Sequence, residues 1–269
     1  MRTFLSAVAT LIAMAAIVVA LSSMWVSERV VDEDGFVDVV APLAHDADVQ
    51  SFISDEITEQ VSSRVSFPGA ATLIKPVAKR YTQGPDFPGD FTDLVRQEHG
   101  WLFDPAPAGA EQEMQLDITD MVKRALTNAD LPFTPSLGTT HIEVPMAQGS
   151  GLAAGRYHKV GQQITWIAYG ATALAVIAGL LALVVARRRG TVLAWLGVGA
   201  LLAALAAWVA ALAAPTIINH QFTDHSSGNA LTRAATDALA NDLTWWAIIA
   251  AVAGAIVVVV GVIVRIAAR

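Results

Sequence analysis

The sequence predicts a membrane protein: an all-α transmembrane bundle of four helices, with an α-rich (α+β) extracytoplasmic domain inserted between the first and second spans. Three observations predict this class. Of 269 residues, 54% are hydrophobic and 15% charged, where a soluble domain carries about 25% charged residues. Four runs, residues 4–24, 164–186, 191–214 and 243–264, contain no Asp, Glu, Lys, Arg or His. Each is long enough to cross a hydrocarbon core of about 30 Å at about 1.5 Å per residue. Third, the charges sort by compartment. Cytoplasmic loops carry the Lys/Arg excess, so Arg187, Arg188 and Arg189, between the second and third runs, place that turn and both termini inside. The inner side then holds six arginines and no acid, and residues 24–160 hold 21 acids against 10 bases.

In chain order, the first run is span one (residues 1–24). One Arg, an apolar stretch and Val18-Val19-Ala20 also resemble a signal peptide. The run continues to Met24 and ends at Trp25, which favours an uncleaved anchor. Residues 25–160 form the acidic outer domain. Within it Val49, Phe52, Ile53, Ile57, Val61 and Val65 mark a helix face with Asp48 as N-cap, ended by Pro68-Gly69. A second helix is expected from Ala70 to Tyr81, kinked at Pro76, then a turn over Gly84 to Gly89. A third, Phe91 to Leu102, starts at Asp90. Met114, Leu116 and Ile118 alternate as a strand before a helix from Asp120 to Ala129 capped by Thr119. Ile142, Val144 and Met146 alternate as a second strand. A further helix from Leu152 is expected to run into span two.

Spans two (164–186) and three (191–214) flank the cytoplasmic turn 187–190, and Pro215 closes the third. Residues 215–242 form an outer loop with an amphipathic helix around Leu231 and Leu239. Span four covers 243–264, followed by a cytoplasmic tail, 265–269. Trp25, Trp166, Trp245 and Trp246 fall at outer helix ends as interface anchors. Small residues at four-residue spacing, among them Ala203, Ala207 and Ala211, predict close helix packing and allow self-association.

Trp25, Val30-Val31-Asp32, Asp34, Phe36-Val37, Val40-Ala41-Pro42-Leu43-Ala44, Asp46, Val49-Gln50 and Ile57-Thr58 resemble the opening of a family of uncharacterised actinobacterial multi-pass integral membrane proteins. Phe91 with Glu98-His99, Leu116-Asp117-Ile118 and the triple arginine are similar too. The resemblance implies a topology and a source, and brings no catalytic residue.

The acidic exterior speaks against nucleic acid, which needs a basic footprint. With no cysteine, disulfides and thiol chemistry are excluded. Asp32, Glu33 and Asp34 before Gly35, with Asp38, lack the spacing of a calcium loop. His45-Asp46 with Asp48, and His220 with Asp224-His225, pair histidine with carboxylate, yet neither shows the i, i+4 histidines of a zinc helix. They read better as exposed loop residues. His99 reads as a half-buried helix histidine. No Gly-x-Ser-x-Gly elbow or phosphate-binding loop occurs. No cofactor, metal or catalytic residue is therefore expected.

Besides the lipid bilayer, the expected partner is another envelope or membrane protein, and a homo-oligomer is compatible with the spans. The leading functional expectation is an accessory, assembly or scaffold component of a bacterial envelope, using a partner-binding outer domain. The alternative is an oligomeric channel or the membrane subunit of an exporter. An ion-coupled transporter would keep an ionisable group at membrane depth, and these spans have none. An extracytoplasmic hydrolase using His99 or the His220 loop ranks last.

Overall fold

The computed structural model describes residues 2–64, 69–106, 114–127, 141–144, 154–221 and 228–267. The chain divides into two compact units. The first comprises Met1–Asp32, Val160–His220 and Asp237–Arg269; the second comprises Glu33–Lys159 and Gln221–Thr236.

The first unit is built from α1 (Arg2–Val26), α7 (His158–Val185), α8 (Arg189–Gln221) and α9 (Gly228–Ala267). A π-helical turn, Ser27–Val31, prolongs α1. Four helical stretches here are long and apolar enough to cross a membrane, and no more than 33% of the apolar window of any of them is buried. The remaining surface, with Ile177, Leu180, Val252 and Ile256 all more than half exposed, is a continuous apolar face of the kind only lipid or another apolar surface covers.

Two expectations change here. Pro215 does not close its helix, since α8 runs on to Gln221. The proline ring fixes φ near a helical value and removes one backbone bond, which a long helix absorbs. Nor are the amphipathic stretch of the 215–242 loop and span four separate elements, because α9 is one helix of 40 residues.

Glycines set the closeness of α8 to α9. A Cβ built on Gly190 would lie 2.5 Å from Gly261 O, and one on Gly197 2.7 Å from Gly254 O and Val258 N. One on Gly261 would meet Ala194 N at 2.4 Å. Two glycines seven residues apart on each helix thus face each other in antiparallel register, backbone against backbone. Farther along the pair, Ala207 and Ala211 pack with Leu243 and Ala247. Gly199 does the same for α1, where its Cβ would fall 2.9 Å from Met14 Cγ. The Ser6 hydroxyl of α1 donates to Ala182 O of α7 at 3.3 Å.

The second unit contains α2 (Glu33–Val40), α3 (Ala47–Arg64), α4 (Ala70–Thr82), α5 (Phe87–Phe103), β1 (Met114–Asp117), α6 (Thr119–Thr127) and β2 (His141–Val144). A 3-10 turn, Ala41–His45, joins α2 to α3. Both predicted strands occur and pair antiparallel, Met114 opposite Val144 and Asp117 opposite His141. They are four residues each. The α+β description therefore fails for the described residues: this is a helical unit carrying one short ribbon. Its core is drawn from every helix. Val49, Ile53, Ile57 and Val61 of α3 meet Ile74 and Ala78 of α4, Phe87, Phe91 and Val95 of α5, and Met121 and Val122 of α6. Leu231 and Ala234, from the first turns of α9, pack on the same core.

Local chemistry explains the boundaries. The N-cap of α3 is Asp46, not Asp48: its carboxylate accepts the N–H groups of Asp48 at 2.9 Å and Val49 at 3.1 Å, two donors no helical carbonyl reaches. Gly69 turns into α4 at φ +86°, a left-handed conformation that favours glycine; Pro68 lies outside the described residues. Helix α5 begins at Phe87, absorbing half of the expected turn, with Pro88 in its first turn, where a missing N–H costs nothing. Asp117, not Thr119, caps α6, accepting Thr119 N–H at 2.9 Å. Of the helix expected from Leu152, residues 152 and 153 lie outside the described residues, and residues 154–157 form a turn. That turn closes the C-terminus of α5. Gly155 N–H donates to Trp101 O at 2.9 Å and Tyr157 N–H to Leu102 O at 3.2 Å. His158 Nδ1 lies 2.8 Å from Phe103 O, so that nitrogen carries the proton.

Candidate functional site

Three side-chain constructions, two polar and one aromatic, organise the second unit. The first is a buried triad from α4, α5 and α6. Asp90, 8% exposed, accepts from the Tyr81 hydroxyl and from two nitrogens of Arg124, with Arg124 Nε at 2.8 Å. Burial, then the hydrogen bond to Asp90, pushes the Tyr81 phenol well above its ordinary range. The bond to Asp90 likewise raises the Arg124 guanidinium. A carboxylate sharing a fork with a guanidinium and a phenol is fully engaged, so the triad acts as a clamp.

The second construction joins α5 to α2. Arg96 Nη1 donates to Glu33 at 2.6 Å and Asp34 at 3.0 Å, and the bond to Glu33, then that to Asp34, raises its pKa. Two of the four acids around Gly35, Glu33 and Asp34, are thus occupied by an arginine. The third is aromatic. His99 is 4% exposed, stacks on Phe103 with centroids 4.6 Å apart, and lies 5.3 Å from Phe36. A histidine held between two phenyl rings is a core residue here. Beside it Glu98 is half-buried, and burial raises its carboxyl pKa.

The sign of that last shift gives a prediction. A carboxyl whose folded pKa exceeds its unfolded value stabilises the fold while protonated, and the contribution is lost as pH rises through the folded pKa. Glu98→Gln should therefore increase amide-exchange protection across Phe87–Phe103 at about pH 8 and give no gain at about pH 4. Weaker protection at the higher pH would contradict the assignment.

The other candidate residues are spread out. His45 is exposed at the end of the 3-10 turn, and Asp46 is committed as a cap. The side chain of His220, and His225 entirely, lie outside the described residues. Among the described residues no three His, Cys, Asp or Glu groups gather at metal-binding distance. Trp166 and Trp245 are 79% and 60% exposed, and Trp246 is half-buried. Trp25 is tied down: its Nε1 donates to Asp242 at 2.8 Å. Arg29 Nε approaches the same carboxylate at 3.5 Å, and the hydroxyls of Ser27 and Thr165 lie 3.1 Å apart. These contacts form a polar belt across α1, α7 and α9 at one end of the first unit. Sequence reasoning missed it, although Asp242 standing directly before an apolar run was a readable signal.

Two of the larger concavities among the described residues bear on function. In the second unit an open groove of about 830 Å³ runs between α3 and α4. Asp55, Glu59 and Lys75 edge it, with Lys75 Nζ 2.9 Å from Asp55. Ser62 Oγ is buried there with no hydrogen-bond partner among the described residues. In the first unit a cavity of about 580 Å³ gathers the start of α1, the α7–α8 turn and the end of α9, with Thr3, Arg187, Arg188 and Arg265 in its wall. The start of α1, the end of α9 and the arginine turn therefore share one end of the bundle. Arg189, the third arginine of the turn, does not line it.

No protein-family profile, curated protein or solved structure matches this chain.

Proposed function

We propose that the chain is a multi-pass bacterial plasma-membrane protein with both termini cytoplasmic and residues 25–160 outside. It serves as an accessory or scaffold component of the envelope, and its outer domain docks a partner protein. The source is the actinobacterial one that residues 25–58 resemble. The observation that carries this reading is the self-contained core of the second unit, with a polar groove between α3 and α4 open on its surface. A segment that only linked two spans would need no such core. The charge sorting, and the one bundle end shared by the start of α1, the end of α9 and the arginine turn, support the orientation.

The groove suits a polar peptide surface. It offers two acids, one lysine, and in Ser62 a buried hydroxyl whose hydrogen bond a partner backbone would complete. The test is amine-reactive crosslinking in native membranes, mild-detergent purification and mass spectrometry. Crosslinks to a stoichiometric partner should concentrate on Lys75 and Lys79, which lie on α4, and avoid Lys159. Recovery of a clean homo-oligomer with no second protein would overturn the accessory reading and leave the channel as the reading to pursue.

A further inference from the structure

We propose that the cavity at the arginine end of the helical bundle binds the phosphate headgroup of a single anionic glycerophospholipid. The cavity brings together Arg187 and Arg188 from the α7–α8 turn and Arg265 from the end of α9. All three are exposed, and none of them is ion-paired among the described residues. No carboxylate lines the wall, and no Asp or Glu occurs in residues 2–27, 160–221 or 243–269. Three guanidinium groups around one concavity repel one another until an anion joins them, and their planar forks match phosphate oxygens.

A second observation points the same way. Thr191 lines the cavity, and its Oγ1 is buried with no hydrogen-bond partner among the described residues. Its neighbours Ser6 and Thr10 already donate to the carbonyls of Ala182 and Ser6, at 3.3 Å and 2.7 Å. Thr191 is thus the one wall hydroxyl shown to be buried and unspent, and a phosphate oxygen accepts from it.

The apolar wall selects lipid over free phosphate. Leu11 and Trp195, 65% and 54% exposed, continue with Met14 from the arginine mouth onto the apolar surface of the bundle. Inorganic phosphate would leave that wall uncovered, whereas acyl chains lie along it. Basic pockets between membrane helices favour anionic headgroups in this way.

The inference rests on the membrane reading of the four helices and not on their orientation, so it is tested in detergent. Full-length protein is titrated with dioleoyl-phosphatidylglycerol or dioleoyl-phosphatidylcholine and examined by native mass spectrometry. One phosphatidylglycerol should be retained, and phosphatidylcholine should not. Arg188→Gln and Arg265→Gln should each weaken retention about fivefold, and Thr191→Val about two- to threefold. Arg189→Gln, equal in net charge to the other arginine variants, should leave it unchanged. Equal retention of the two lipids, or equal loss from Arg189→Gln and Arg188→Gln, would show a merely solvated basic mouth and overturn the proposal. Displacement of the lipid by millimolar glycerol phosphate would overturn the lipid assignment in favour of a free phosphate ester. Labelling of position 189 from outside the cell would sink the orientation while leaving this result untouched.

Discussion

Gly261→Leu will separate α8 from α9. A Cβ there lies 2.4 Å from Ala194 N and 2.8 Å from Gly190 O, and both are backbone atoms, so no rotamer change relieves the overlap. Gly197→Leu meets the same obstacle at Gly254 O and Val258 N. Overpacking a tight contact costs about 1–3 kcal/mol even where side chains can shift, and here one helix must move. We expect a fall of about 10 °C in the aggregation midpoint of the detergent-purified protein. Gly170→Leu is the control, since a Cβ there meets nothing within 4 Å. Equal behaviour of the 261 and 170 variants would show that α8 and α9 do not pack in the glycine register.

The other large effect falls on the buried triad. Asp90→Ala strands the Tyr81 hydroxyl and takes from Arg124 its carboxylate partner. Breaking a buried pair from one side costs about 3–5 kcal/mol. Because Arg124 is 48% exposed along its side chain, water recovers part of that, and we expect about 2–3 kcal/mol. Hydrogen exchange on the full-length protein should show α6 losing protection while α8 is unchanged. Adding Arg124→Ala should cost little more, because the two residues act as one unit. Protection of α6 equal to the wild type would contradict the clamp. The raised phenol pKa of Tyr81 adds a pH signature. Its contribution to stability is complete below the ordinary phenol range of about 10 and is lost as pH climbs above it.

The four long apolar helices were legible because a charge-free apolar run of more than about 20 residues has one common structural solution. The buried face of α3, with Val49, Ile53, Ile57 and Val61, was legible from its 3.6-residue period. Both strands were legible from alternation, although eight paired residues do not make a layer. Helix ends were less so. Asp46 and Asp48 are both good caps by composition, and only the backbone decides which one faces the free N–H groups. Pro88 and Pro215 were read as breaks, yet the first sits in an opening turn and the second interrupts a single bond of a long helix.

Pairings between distant segments were not legible. Asp90 and Arg124 are 34 residues apart, and no local pattern joins them. Of the four contact glycines only Gly254 stands in a four-residue stripe within a predicted span, with Ala250, while the contact itself repeats every seven residues. Arg187 and Arg188 were read for topology alone, since nothing in the sequence shows that Arg265 reaches the same cavity. His99 drew attention as a chemical group, and the fold makes it an aromatic core residue stacked on Phe103.

The central claim is the orientation: the arginine turn inside, the helical domain outside. Because the chain contains no cysteine, single cysteines report sidedness without background. Gln83→Cys, exposed just after α4, and Arg189→Cys should be treated in intact cells with a membrane-impermeant maleimide, before and after permeabilisation. Position 83 should label in intact cells, and position 189 only after permeabilisation. Labelling of position 189 in intact cells would contradict the orientation.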